Sequence, residues 1–274
     1  MNRSSVQATR IFDGITWEYD RFRLPTPSRV PYLLTAMLGR RPNLVVDLGS
    51  GTGLSTFVWE NAANHVIGIE PNEEMRARAQ AHSQESHMVE FREGDSGHTG
   101  LPDGSVDIVV STSALHWMDP KQTLPEVARI LCDDGIMAGI KDVGCPTVHP
   151  AVELAYHKVT DAADRIWRER DLWPKVPTWP LQTYFTLISE SGLFSYTKEI
   201  FFHDQLTGNA DRFVGWARSV GVVRGVLREG VTEEEIELPQ LRQVCHSVLG
   251  DEGKPWHISY RMIVGIKHVE VGGV

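Results

Sequence analysis

Three glycines at alternate positions, Gly49, Gly51 and Gly53, follow the mostly apolar run Leu44-Val45-Val46-Asp47-Leu48. A string of this kind lets the backbone turn sharply and lets a ligand approach with no Cβ in the way. Leu54, Phe57 and Val58 then fall at helical spacing, which predicts a strand, a glycine turn and a helix start. Such a turn would aim free N–H groups and the positive end of a helix dipole at whatever lies above the sheet. Glu70 ends a second apolar run, His65–Ile69, 21 residues after Gly49. An acid at that place either accepts hydrogen bonds from ribose hydroxyls or caps the strand end. Asp95 follows Gly94 at the end of a third strand-like segment, and His116 follows a fourth run, Val106–Ser111. The ordinary pKa range of histidine suits removal of a proton from a hydroxyl or an acidic carbon; the alternative is a packing and shielding pair with Trp117. A dinucleotide turn needs Gly-x-Gly-x-x-Gly, and position 54 is leucine, which disfavours a nicotinamide oxidoreductase.

The elements that must position these residues follow from pattern. Pro71-Asn72-Glu73-Glu74-Met75 opens a helix with proline near its start and acids in its first turn. A helix is expected over about 28–39, and Lys121–Leu131 is amphipathic, with Leu124, Val127, Ala128 and Leu131 on one face. Asp133-Asp134-Gly135 turns into a fifth strand, Ile136–Ile140. Beyond it, helices are expected over about 150–170, 181–191, the first part of 211–227, and 233–249. Closing strands are expected at Tyr196–Phe202 and Trp256–Ile266, paired antiparallel.

Taken together, these motifs resemble those of class I S-adenosylmethionine-dependent methyltransferases, in the small-molecule branch of ubiquinone-biosynthesis and trans-aconitate methyltransferase-like enzymes. The resemblance rests on Val-Val-Asp-Leu-Gly-Ser-Gly-Thr-Gly at 45–53, Gly-Ile-Glu-Pro-Asn-Glu-Glu-Met at 68–75 and Gly-Asp at 94–95. It continues through Leu-Pro-Asp-Gly-Ser-Val-Asp at 101–107 and Ala-Leu-His-Trp at 114–117, and covers roughly residues 15–142. It implies an α/β, Rossmann-like, mostly parallel seven-stranded sheet with a C-terminal antiparallel strand and a helical cap inserted after the fifth strand. It also implies S-adenosyl-L-methionine as cofactor. Asp47 and the backbone of Gly49, Ser50 and Gly51 would hold its methionine end, and Glu70 its ribose. Pro71, Asn72 and Met75 would flank the adenosine, and Asp95 and Ser96 would meet the adenine. Ser111, Thr112, His116 and Trp117 would face the sulfonium. Tyr19, Asp20 and Arg23 stand where relatives fold a Tyr-Asp-x-x-Arg segment over the cofactor carboxylate, a group that the planar arginine fork suits. His116 is the candidate catalytic base.

The chain has 274 residues, 27 basic and 36 acidic, for a net charge of −9. One domain is expected: a cofactor core at about 28–142, cap segments at about 143–195 and 203–250, and closing strands at 196–202 and 256–266. The acidic balance argues against a nucleic-acid partner, which needs clustered Lys and Arg. Met1–Arg10 is polar, and no apolar run approaches the about 18 residues of a membrane span, so neither membrane nor signal peptide is expected. Cys132, Cys145 and Cys245 are odd in number and lack metal-ligand spacing, which suits reduced thiols in a cytoplasm. Substrate choice is expected after Val143, with Trp173, Trp179, Trp216 and Arg218 as candidate contacts; Arg218 and Arg224 are read as facing solvent more readily than an acidic substrate. The reading is a cytoplasmic methyltransferase for a small molecule, compatible with a homodimer. Its rivals are an RNA or protein methyltransferase and a cofactor-binding protein that transfers no methyl group.

Overall fold

Short runs rich in Val and Ile form strands whose alternate residues enter opposite cores, as burial on both faces of a parallel sheet requires. Val45, Val66, Ile108 and Ala138 enter one core, and Val46, Ile67, Val109 and Met137 the other. The computed structural model describes residues 20–84, 86–172 and 177–268; Tyr19 and Trp173 lie outside them. Along the chain, α1 (Arg29–Leu38), β1 (Leu44–Leu48), β2 (His65–Ile69), α2 (Glu73–His82) and β3 (Val89–Arg92) come first. They are followed by β4 (Val106–Thr112), α3 (Pro120–Ile130) and β5 (Leu131–Thr147). These five strands pair in parallel. The later β7 (Lys254–Ile266) runs antiparallel between β5 and β6 (Tyr196–Gly208). The described residues thus form a seven-stranded sheet of order β3-β2-β1-β4-β5-β7-β6, the expected fold class. Strand order reverses at β1 and β4, so their carboxyl ends open a crevice.

Helices after β5 divide between two places. α4 (Pro150–Glu169), α6 (Ala210–Ser219), α7 (Gly221–Arg228) and α8 (Leu238–Val248) share a core of their own. Phe213 is its hub, with ring centroids 6.2 Å from Tyr156, 5.3 Å from Trp216 and 5.3 Å from Trp256. α5 (Leu181–Glu190), expected within the cap, instead packs with α3 on a face of the sheet, where the Tyr184 hydroxyl donates to the Met118 carbonyl at 2.7 Å. Within the cap, the helix expected over the first part of 211–227 is α6, and a second helix, α7, follows it after an extended Val220. The last helix starts at Leu238 rather than 233, because Glu237 adopts φ 57° and Pro239 suits only a helix's first turn.

The segment from Asp20 to Pro25 straps these parts together. Phe22 lies on Gly215 of α6, where a Cβ would meet its ring at 2.2 Å. The Tyr260 hydroxyl donates to the Pro25 carbonyl at 3.2 Å, and Arg78 Nε donates to Asp20 Oδ2 at 2.8 Å. One short piece of chain therefore touches cap, sheet and α2.

Candidate active site

The glycine turn closes by hydrogen bonds to β2. Gly49 and Ser50 N–H both donate to the Ile69 carbonyl, at 2.9 and 3.2 Å, and Gly51 N–H donates to Glu70 Oε2 at 2.8 Å. These N–H groups are thus not free to face a ligand, which corrects the sequence reading. The helix expected after Gly53 is also absent. Turns and a single 3-10 turn, Phe57–Trp59, take its place. The physical reason lies in Asp47, whose Oδ2 draws in the hydroxyls of Ser55 (2.5 Å) and Thr56 (2.7 Å). Side chains tethered this way hold the backbone out of a regular α-helix, a competition to which Ser and Thr are prone.

What the turn presents instead is a set of buried polar side chains. Asp47 Oδ1, Ser50 Oγ, Thr52 Oγ1 and Thr112 Oγ1 have no hydrogen-bond partner among the described residues. Gly49 (φ 69°) would clash with Ala114 at 2.7 Å if it carried a Cβ, whereas a Cβ on Gly51 would meet nothing within 4 Å. Buried polar atoms are normally satisfied, so four together mark a place built for a polar ligand. Burial pushes the Asp47 carboxyl up to about 6, against the pull of the two hydroxyls and with the charge of Glu70 adding to the rise. Burial also raises Glu70, opposed by its bonds from Asn72 and Gly51 N–H and by Arg76.

Two cavities sit above the strand ends. The narrow one, about 40 Å³, is walled by the turn 49–55, Thr112, Ser113 and the strap residues 23–26. The wide one, about 460 Å³, is walled by His116, Trp117, Lys141, Asp142, Tyr156, Trp216 and Arg224 among others. Arg23, Ser113, Asp142 and Trp216 belong to both. His116 is held by its backbone, its carbonyl accepting from Trp179 N–H at 2.9 Å, and its ring lies 4.8 Å from that of Trp117. Burial, with Lys141 and Arg23 nearby, pulls its imidazole down to about 3, so it is neutral at pH 7. Cys145, also on the wall, keeps its proton because burial pushes its thiol up.

The expected site residues divide accordingly. Gly49, Ser50, Gly51, Thr112 and Arg23 line the narrow cavity, Asp47 stands behind its wall bonded to Ser55, and Glu70 and Asn72 are joined to it through the Gly51 and Asn72 N–H groups. Asn72 spends its side chain capping α2 at Met75 N–H (2.9 Å), and Met75 is buried. Pro71 begins that turn, its carbonyl accepting from Arg76. Asp95 and Ser96 lie beyond β3; Asp95 accepts from Gly97 N–H and Ser96 pairs with Thr123. Ser111 is buried, with Oγ 4.0 Å from Met118 Sδ. Of the cap candidates, Trp216 lines both cavities, Trp179 packs with the α3–α5 side and Arg218 pairs with Glu233. Arg224, read as solvent-facing, lines the wide cavity instead. Ser113, Lys141, Asp142 and Tyr156 were missed. The signal for three of them was their place at the carboxyl ends of β4 and β5, where ligands of open α/β sheets bind.

Known proteins resemble this chain in part of its sequence and in its fold. Residues 46–139 match the family model described as a methyltransferase domain. A probable S-adenosylmethionine-dependent methyltransferase of Saccharomyces cerevisiae is 36% identical over 105 residues, 36% of this chain and 35% of its own. The malonyl-[acyl-carrier protein] O-methyltransferase of Pectobacterium atrosepticum is 33% identical over 122 residues, 44% of this chain and 47% of its own. The chain thus spans half or less of the length of these curated relatives. The structure of a putative type II methyltransferase from Anaeromyxobacter dehalogenans superposes with a TM-score of 0.68 at 20% identity, covering 91% of this chain and 100% of that one, a likeness of fold.

Proposed function

We propose that this chain, whose residues 46–139 match a methyltransferase domain model, is a class I S-adenosylmethionine-dependent methyltransferase that methylates a small molecule held beneath its helical cap. The observation that carries the reading is the pair of joined cavities over β1, β4 and β5. One has orphaned polar atoms in its wall, and the other has the volume of a small-molecule pocket and aromatic walls.

The residues present fit the cofactor. Asp47 Oδ1 is a buried carboxylate oxygen without a partner among the described residues, suited to an ammonium, and the Ser50 and Thr52 hydroxyls stand beside it in sequence. Arg23 in the strap would take the carboxylate, Glu70 the ribose, and Asn72, Met75, Asp95 and Ser96 the base end. Bound there, the cofactor would supply an electrophilic methyl group on a good leaving group. The protein's share is then positioning and exclusion of water, which can be worth several kcal/mol. The strap and α6 roof the junction, Trp117, Tyr156 and Trp216 hold an acceptor's flat or apolar body, and neutral His116 accepts a hydrogen bond from it. Three cations, Arg23, Lys141 and Arg224, stand against one acid, Asp142, in the wide cavity of an otherwise acidic chain.

The test uses S-adenosylmethionine labelled on the methyl group, incubated with the protein and a cell extract split by size. Label is expected in the small-molecule fraction. Label in RNA or protein overturns the acceptor class, and cofactor binding without S-adenosylhomocysteine overturns methyl transfer itself.

A further inference from the structure

The narrow and wide cavities meet at four side chains, Arg23, Ser113, Asp142 and Trp216. Whatever reacts across that junction does so beside them. Of the four, only the carboxylate is a proton-accepting group: a guanidinium already carries its proton, and a hydroxyl and an indole are not bases. His116 lines the wide cavity and is absent from the wall of the narrow one. Asp142 is also held in place. Ser113 leaves β4 in a left-handed conformation, φ 54°, while its N–H still donates to the Ile140 carbonyl at 2.8 Å. That conformation costs a non-glycine residue energy and is kept only where the surroundings impose it. From it, Ser113 Oγ donates to Asp142 Oδ1 at 3.3 Å, leaving Oδ2 as the second acceptor.

We propose that Asp142 is the proton acceptor of methyl transfer and that the acceptor molecule reacts through an O–H or N–H group. This rests on the methyl-transfer reading above. In the step, the acceptor's oxygen or nitrogen forms a bond to the methyl carbon. The methyl–sulfur bond breaks with its electron pair left on sulfur, and the acceptor's proton passes to Asp142 Oδ2. The charged and titratable groups that share the cavity walls with Asp142 are Arg23 from the strap, Lys141 and Cys145 on its own strand, Tyr156 and His157 from α4, Arg224 from α7, Tyr260 opposite it on β7 and His116 after β4. Burial and the Asp142 carboxylate push both phenols up, so neither tyrosine competes as a base. The depressed imidazole of His116 is a far weaker base at pH 7 than an unperturbed one.

The experiment compares wild type with Asp142→Asn, Asp142→Glu and His116→Gln, using labelled cofactor and the small-molecule fraction of the extract. Asp142→Asn is expected to lower turnover at least about 100-fold. It should also remove the low-pH fall in kcat and leave calorimetric cofactor affinity within about fivefold. Asp142→Glu should recover part of the turnover, and His116→Gln should keep the low-pH limb. A readout independent of turnover is carbon-13 NMR of carboxyl-labelled aspartates, wild type minus Asp142→Asn, which should show an ionised carboxylate across about pH 6–8. The proposal is overturned by an Asp142→Asn enzyme that keeps its turnover and acid limb, by loss of that limb in His116→Gln, or by a carboxyl still protonated at about pH 8. Wild-type protein that binds cofactor yet labels nothing overturns the methyl-transfer reading, and this assignment with it.

Discussion

Asp47 is fully buried, and two hydroxyls on one oxygen do not offset the cost of ionising it. Its folded-state pKa, about 6 against 3.8, sets the sign. Below about pH 4 the group is protonated in both folded and unfolded chains; as pH rises through about 6 the folded protein must hold a buried charge and loses roughly 3 kcal/mol. Asp47→Asn should therefore raise the melting temperature of the cofactor-free protein at pH 7.5, with the gain shrinking toward pH 4. In calorimetry it should weaken cofactor binding at least about tenfold and abolish the wild type's loss of affinity below about pH 6, because an ammonium selects the ionised carboxylate. Glu70→Ala has the opposite effect on the fold, since it strands the Gly51 and Asn72 N–H groups, at about 1–3 kcal/mol each in a urea titration. Cofactor affinity should fall markedly with it; unchanged affinity would remove Glu70 from the ribose site.

Elements were legible where packing dictates them. The Val- and Ile-rich strands, the start of α2 with its first-turn acids and the stripe on α3 answer to local signals on one face or one turn. The turn after Gly53 defeated the same reading, because Leu54, Phe57 and Val58 keep helical spacing while Ser55 and Thr56 answer to Asp47, and a tertiary hydrogen bond leaves no trace in periodicity. The far half of β6, with His203, Asp204 and Gln205, was illegible because its strand state comes from pairing with β7 rather than from burial. Likewise Ser113 and Asp142 were visible as residue types, but their meeting depends on how β4 leaves β5. The strap offers a test at this scale. Gly215→Val should displace Phe22 and loosen Asp20–Pro25 from the cap, read as faster proteolysis there and weaker cofactor binding, with α6 still folded by circular dichroism.

At the scale of the molecule, the cap core and the two sheet cores meet on β7. Trp256 lies in the cap core while Ile258, Tyr260 and Met262, further along the same strand, belong to the sheet. Trp256→Ala should cost about 3–5 kcal/mol in denaturant unfolding, by the cavity it leaves in the cap core. The four side chains common to both cavities carry a further consequence. A wall shared by two chambers cannot be rearranged for one tenant without being rearranged for the other. Donor and acceptor affinities are therefore linked, and linkage is reciprocal: the factor by which a bound acceptor changes the affinity for S-adenosylhomocysteine must equal the factor measured the other way round. Truncating Trp216, which both tenants would touch, should bring that factor toward one.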